Sequence, residues 1–313
     1  MGKSSVLASS ADDKKHTDDV ALKRKAPAIA DAVPPSADAV GGSFHMSSCA
    51  QKRSPAPQLK IPRASDIRPQ KPGMNFMPLP NVVVDQLGDP AVVIGVDVES
   101  HSWPDDSCRR GHTGQFGKYT MKDDKTLRTS RIVKIAWTVG AAEVKAPVEV
   151  KCKLIRPDGY EIADKATKFH GISQEQAMSE GLDLKEVMDE FMNDMAKRCE
   201  SGGRVVAHQL EFDAGLILEE LQRCGSMHLQ KQWSKIARAG YCTMNPDVGR
   251  WLKICAGAQV GPKQEVLSLT DSLDKLLPGA SRTFKAHTPE DDAQMARLIF
   301  LALLQRAREQ RKG

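Results

Sequence analysis

Two acidic residues end an apolar stretch of the chain. The segment 91–100, AVVIGVDVES, runs through small and β-branched apolar residues into Asp97 and Glu99. This pattern predicts a buried strand. Because alternate residues of a strand share a face, the two carboxylates project together from its carboxyl end. Such a pair can bind a divalent cation, although an ordinary strand that ends in an acidic turn would carry the same residues.

A third carboxylate follows a second short apolar run. The segment 205–213, VVAHQLEFD, places Asp213 just after a predicted strand, at the opening of a predicted helix. Together with a segment near the end of the chain, it would give the first carboxylate pair its partners.

A histidine and a fourth carboxylate lie near the end of the chain. In 286–293, AHTPEDDA, His287 stands five residues before Asp292. Thr288 is placed to cap a helix whose first position is Pro289. This spacing turns Asp292 inward on the first turn and leaves His287 just outside the helix, near enough to share a site. Either residue alone is a weak signal, because a lone histidine is usually structural.

The elements that must position these residues follow strand and helix periods. Further strands are predicted at residues 131–139, 148–155, 204–207 and 241–244. Helices are predicted at residues 184–199, 213–221, 246–255, 267–277 and 289–308. The short connections between the first three strands indicate an antiparallel meander, and later strands alternate with helices. The sequence therefore predicts an α/β fold, a mixed five-stranded sheet with helices on both faces.

Composition bounds the class of protein. With 313 residues, 40% of them apolar, the chain can bury one sizeable core. Its seven cysteines show no CxxC or Cys/His spacing, so we expect neither disulfides nor a zinc site, and a reducing intracellular compartment, nucleus or cytoplasm. The longest apolar run, 299–304, is too short to cross a bilayer, and no signal peptide is evident. We expect no membrane partner.

The charge divides the chain into two parts. Residues 1–76 hold 12 Lys/Arg and 7 Asp/Glu, are rich in Ala, Ser and Pro, and lack any apolar period. This composition predicts a disordered basic tail and linker. Residues 77–313, the predicted domain, carry 33 residues of each sign. A polyanion would therefore have to bind this domain through local patches and metal ions.

A basic, glycine-containing segment follows the first strand. Trp103 could anchor this loop or stack on a terminal base. Arg109 and Arg110 could bind phosphates. A variable surface insertion would explain the same residues equally well.

In combination and in this order, the acidic segments resemble the three motifs of the DEDDh family, the proofreading-subunit-like 3′–5′ exonucleases with a ribonuclease H-like fold. Asp97 and Glu99 match the first motif, Asp213 the second, and His287 with Asp292 the third. The resemblance covers residues 90 to about 305 and includes supporting matches at 131–135, 165–172, 242–244 and 267–277. Thr288 stands where the sister family has tyrosine. Ser100-His101 and Gln209 depart from the usual residues.

The resemblance implies a reaction and the roles of five residues. Two Mg²⁺ or Mn²⁺ ions would clamp a phosphodiester. Asp97 would bridge both ions, Glu99 and Asp292 would serve the ion on the nucleophile side, and Asp213 would support the second. His287 would accept the proton of the attacking water. The partner would be single-stranded DNA or RNA with a free 3′ end, and the product a nucleoside 5′-monophosphate.

A further segment resembles the part of the family that lines the pocket of the terminal nucleotide. It is formed by His170, Gly171 and Ile172, although a His-Gly pair is otherwise an ordinary turn. Two alternatives stay open at this point, a catalytically idle nucleic-acid-binding module on the same fold and a ribonuclease H-like endonuclease. The sequence does not distinguish DNA from RNA, and it predicts no oligomeric state.

Overall fold

The computed structural model describes residues 77–102, 127–261 and 266–313. Some of the predictions fall elsewhere in the chain. The tail and linker at 1–76 and the loop residues Trp103, Arg109 and Arg110 lie outside the described residues. The domain boundary at residue 77 stays a prediction.

A mixed five-stranded sheet forms the centre of the described part of the chain. Its strands are β1 (Val92–Ser100), β2 (Ile132–Ala141), β3 (Glu149–Leu154), β4 (Gly203–Ala207) and β5 (Tyr241–Cys242). They lie in the order β3-β2-β1-β4-β5. The pairs β1–β2 and β2–β3 are antiparallel, whereas β1–β4 and β4–β5 are parallel. The predicted meander and the predicted α/β fold with a mixed five-stranded sheet are confirmed.

Helices cover both faces of this sheet. They are α1 (Asn81–Leu87), α2 (Asp164–His170), α3 (Gln174–Glu180), α4 (Leu184–Glu200), α5 (Leu210–Arg223), α6 (Met227–Arg238), α7 (Pro246–Cys255), α8 (Leu269–Leu276) and α9 (Pro289–Lys312). One face packs against α4, α5 and α6, and the other against α9 with α1, α7 and α8. Within the described ranges, no helix combines the length and the apolar character needed to cross a membrane.

Alternate side chains of strand β1 point to the two opposite faces of the sheet. Ile94, Val96 and Val98 are buried in the cluster formed with α4, α5 and α6. Val93 belongs to the opposite cluster, which contains α9. Since side chains alternate, Asp97 and Glu99 leave the strand on the side of α9. Burial of the even-numbered residues therefore fixes the direction of the odd-numbered acids.

Several helices were not predicted. Three of them, α1, α2 and α3, have seven residues each, and isolated helices of that length are unstable without packing. Helix α6 was also missed, although Leu229, Trp233, Ile236 and Ala237 follow a helical period and pack on the core. The fifth strand has two residues, not the four predicted. The differences at the short elements arise because tertiary contacts, not local pattern, form them.

Helix α9 is held along the sheet by a buried arginine. Arg297 is fully buried, and its guanidinium donates to the carbonyl oxygens of Val93 at 3.3 Å and Ala141 at 2.7 Å. Burial lowers the pKa of Arg297 to about 10. The two bonds reach β1 and β2, so they fix the position of α9 along both strands.

The start of α9 approaches β1 where that strand has no side chain. A Cβ at Gly95 would overlap the carbonyl oxygen of Ala293 and would lie 2.6 Å from Thr138 Oγ1. Ala293 immediately follows Asp292, and Gly95 lies two residues before Asp97. The missing side chain at Gly95 therefore lets the third acidic segment approach the first.

Gly95→Ala should destabilise the protein, because the added methyl group forces α9 away from β1. Overpacking of a buried site typically costs about 1–3 kcal/mol of unfolding free energy. Urea denaturation of the variant measures that cost. Gly261→Ala is the matched control, since a Cβ there meets no atom within 4 Å. Equal midpoints for the two variants would show that α9 does not depend on this close approach.

Candidate active site

A cavity of about 300 Å³ lies at the carboxyl ends of β1 and β4. Five of the residues that line it are those predicted to carry chemistry: Asp97, Glu99, Asp213, His287 and Asp292. They come from β1, from the first turn of α5 and from the start of α9. The structure thus brings together residues that are up to 195 positions apart in the sequence.

Three of the carboxylates form a compact cluster. Asp97, Glu99 and Asp292 can each offer an oxygen such that the three atoms lie within 4.8 Å of one another. Asp213 lines the same cavity and is 3% exposed. Asp213 Oδ2 and Asp292 Oδ1 are buried and accept no hydrogen bond from the described residues. Buried carboxylate oxygens need a partner, and oxygen ligands suit hard divalent cations. The cluster can therefore hold a metal ion.

Burial and nearby negative charges raise the pKa of all four carboxyl groups. Burial raises the pKa of Asp97 and of Asp213 well above the usual range, and neighbouring carboxylates raise both further. Burial is the largest cause that raises the pKa of Glu99 to about 8, and the negative charge of Asp292 is the next. Burial raises the pKa of Asp292 to about 7, opposed by the backbone N–H of His287. The ionised cluster is therefore costly without a bound cation.

His287 is held beside Asp292 by its backbone. Its N–H donates to Asp292 Oδ2 at 3.1 Å, and its φ of 63° lies in the left-handed region. The exposed imidazole packs on Phe169, with ring centroids 3.9 Å apart and an angle of 44° between the rings. Backbone and ring contacts together keep the imidazole at the mouth of the cavity.

The predicted start of α9, with Thr288 as N-cap and Pro289 in the first turn, is confirmed. The threonine side chain, however, makes no capping hydrogen bond. Its hydroxyl instead donates to the carbonyl oxygen of Lys285 at 2.7 Å. That bond closes a tight turn across His287, which accounts for the side chain being unavailable to the helix.

Backbone strain also marks the second acidic segment. Gln209, at the N-cap position of α5, has a φ of 87° and forms no side-chain cap. Among the described non-glycine residues, only Gln209 and His287 have positive φ, and both line the cavity. Such conformations cost about 1–3 kcal/mol each and persist where function or packing requires them. Beside Gln209, His208 Nδ1 lies 3.0 Å from Thr243 Oγ1.

Sequence reasoning missed an ion pair that borders the cluster. Lys134 lies opposite Glu99 in the β1–β2 ladder. Its Nζ lies 3.0 Å from Glu290 Oε2, on the first turn of α9. The charge of Lys134 opposes the rise in the pKa of Glu99. A lone lysine in the apolar run 131–139 was a signal for this pair, but its partner is 156 residues away.

The predicted substrate residues are placed differently from one another. His170 lines the cavity, and its Nδ1 accepts the N–H of Ile172 at 3.0 Å. Gly171 has a φ of 77° and ends α2. Ile172 packs in a buried cluster beside Val133 and is 6% exposed. Their roles toward a nucleotide stay predictions. Phe169 and Phe212, which were not predicted, also line the cavity.

Solved structures similar to this chain include exonucleases. Exonuclease I from Methylocaldum szegediense gives a TM-score of 0.48 and 14% identity, over 71% of this chain and 41% of its own. The zinc-bound E. coli exonuclease I complex with single-stranded DNA gives 0.49 and 13%, over 71% and 42%. The chain therefore spans about two fifths of the length of these proteins. TM-scores below 0.5 at such identities establish no shared activity. No protein-family model and no curated protein matches the chain.

The raised pKa values predict that the metal-free protein loses stability as pH rises. Glu99 and Asp292 take up protons more readily in the folded state than in the unfolded state, so their contribution is full below about pH 4 and is lost as pH passes through about 7–8. The melting temperature in EDTA should fall between about pH 5 and pH 8. Glu99→Gln should flatten this fall, whereas Glu161→Gln, at an exposed position, should not. A wild-type melting temperature that rises over this range would contradict the assignment.

Proposed function

We propose that the protein is a metal-dependent 3′–5′ exonuclease of the DEDDh type. It hydrolyses phosphodiester bonds of DNA or RNA from a free 3′ end and releases nucleoside 5′-monophosphates. The observation that supports this proposal is a single cavity lined by four carboxylates and one histidine. Their order along the chain is that of the family motifs.

The four acids form the metal-binding part of the site. Mg²⁺ or Mn²⁺, when bound, would supply the positive charge that activates water and stabilises the leaving oxygen. Asp97, Glu99 and Asp292 are the ligands nearest to one another, and Asp213 adds a fourth carboxylate from the first turn of α5. Lys134 keeps Glu290 beside the cluster, so that Glu290 is paired and does not compete with the ligands.

His287 is the proton acceptor of this proposal. An imidazole exchanges protons near neutral pH, which suits a general base. Packing against Phe169 orients the ring, and the His287 N–H bond to Asp292 fixes its distance from the cluster. A water bound at the acids could therefore be deprotonated by a group already in place.

The shape of the cavity supports cleavage at a strand end. Its volume of about 300 Å³ is at the small end of ligand pockets, as expected for one nucleotide. Phe169, Phe212 and Leu269 give it apolar and aromatic walls, on which a base can stack. A site of this size holds a terminal nucleotide more readily than an intact duplex.

End-labelled oligonucleotides test the proposal. With a 5′ label and Mg²⁺ or Mn²⁺, the wild-type protein should give a ladder of products shortened from the 3′ end, with nucleoside 5′-monophosphates. Internal fragments would indicate an endonuclease, and binding without cleavage an idle module. Matched single-stranded DNA, duplex DNA and RNA would identify the substrate.

Asp97→Asn and Asp213→Asn should each abolish hydrolysis while the protein stays folded. Removing a charge from a cluster of like charges relieves repulsion in the metal-free state, so melting temperatures should not fall. Asp247→Asn, at an exposed acid on α7, is the control and should keep full activity. Near wild-type turnover by either cavity variant would refute the metal assignment.

His287→Ala should lower the rate by roughly 10²–10⁴, the usual contribution of a positioned general base. Metal affinity should change little, because the imidazole is not among the clustered ligand atoms. The decisive measurement is the dependence of the rate on pH. The variant should lose the acid limb of the wild-type profile, and His228→Ala, at an exposed histidine of α6, should keep it. If His287→Ala retains that limb, another group is the base.

A further inference from the structure

We propose that a groove between α5 and α6 binds the phosphate backbone of the nucleic-acid strand that leads away from the catalytic cavity. This proposal rests on the proposed function, since the strand is that substrate. The groove, called here the basic groove, has a volume of about 700 Å³. Its cations are Lys231, Lys235 and Arg238, and its apolar residues include Leu218 and Met227.

The three cations lie on one side of α6. Their spacings of four and three residues place them within about 60° of each other around the helix and over about 10 Å along it. That length equals the rise of about three nucleotides. No acidic residue lines the groove. The three side chains are exposed, and none pairs with an acid of the described ranges.

The fold directs this line of charge toward the cavity. Only three residues, 224–226, separate α5 from α6, so α6 runs back alongside α5. The buried Trp233 joins the helices, because its indole N–H donates to the carbonyl oxygen of Ala214 at 2.9 Å. Ala214 immediately follows Asp213, which lines the cavity. Arg238, five residues beyond Trp233, therefore lies at the end of α6 that returns toward the start of α5.

A second contact fixes the same end of the helix pair. A Cβ at Gly240, just after α6, would lie 2.7 Å from the side chain of Leu210. Leu210 begins α5 and follows Gln209, another cavity residue. The basic groove thus runs from Met227, at the far end of α6, to Arg238, at the end nearer the acids.

The composition of the groove favours a nucleic-acid backbone as its occupant. Residues 77–313 of the sequence carry equal numbers of acidic and basic residues, so a polyanion must bind at local patches. The groove offers cations for phosphates and, in Leu218 and the 68% exposed Met227, apolar contact for sugars. It has no aromatic side chain on which bases could stack. Binding should therefore depend on charge and not on base sequence.

The test is salt-dependent binding of a triple variant, Lys231→Gln with Lys235→Gln and Arg238→Gln. Fluorescence anisotropy compares the binding of a 20-nucleotide single strand with that of a trinucleotide. Ca²⁺ replaces the catalytic ion, so that binding is measured without hydrolysis. For the long strand, affinity should fall at least tenfold, and the slope of log affinity against log salt should become shallower by up to about 2. Affinity for the trinucleotide, which fills only the cavity, should not change.

The control carries the same change of charge elsewhere. Lys145, Lys197 and Lys312 are exposed and lie outside the groove, and their replacement by Gln should alter the slope little. Equal slopes for the two triple variants would overturn the proposal. So would an equal loss of affinity for the trinucleotide. If polyglutamate at equal charge concentration competes with the long strand, the partner of the groove is instead an acidic protein.

These outcomes are separate from the proposed function. If the wild-type protein binds the long strand through the groove but cleaves nothing, the groove is supported and the exonuclease is not. If the wild-type protein cleaves from the 3′ end while the triple variant binds and cleaves long strands like the control, the exonuclease is supported and the groove is not. Thermal melting of the triple variant should match the wild type, because all three side chains are exposed.

Discussion

The close approach of α9 to β1 at Gly95 is the constraint on which the candidate site depends. The backbone of Ala293 occupies the space that a side chain at Gly95 would fill. Asp292 immediately precedes Ala293, and Asp97 lies two residues after Gly95. This contact therefore brings the carboxylates of Asp97 and Asp292 together. The bonds from Arg297 to β1 and β2 hold the helix in that position. Small changes of packing there would separate the acids.

The assembled acids leave the metal-free protein with a local electrostatic cost. Burial raises the pKa of each acid, and nearby negative charges raise it further. Partial compensation comes from Lys134 and from the backbone N–H of His287. This cost is offset elsewhere in the fold by the burial of apolar side chains in two large clusters, one on either side of the sheet. The cost is consistent with a site shaped for cations.

The sequence predicted the parts of this structure that follow a strong local pattern. The alternation in 91–100 predicted that Asp97 and Glu99 share a face, and the start of α9 was predicted from Pro289. It could not predict contacts made by distant segments, such as Lys134 with Glu290 or Phe169 with His287. Short helices were missed because packing forms them, and the backbone conformation of Gln209 has no signal in its residue type.

The most direct test of the central claim is Mn²⁺ binding, measured by electron paramagnetic resonance on the metal-free protein. The account predicts that wild type binds Mn²⁺ and that Asp292→Asn weakens this binding at least tenfold. Asp291→Asn, which alters the neighbouring acid outside the cavity lining, should bind like wild type. Absence of protein-bound Mn²⁺ in the wild type, or equal affinity in Asp292→Asn, would contradict the account.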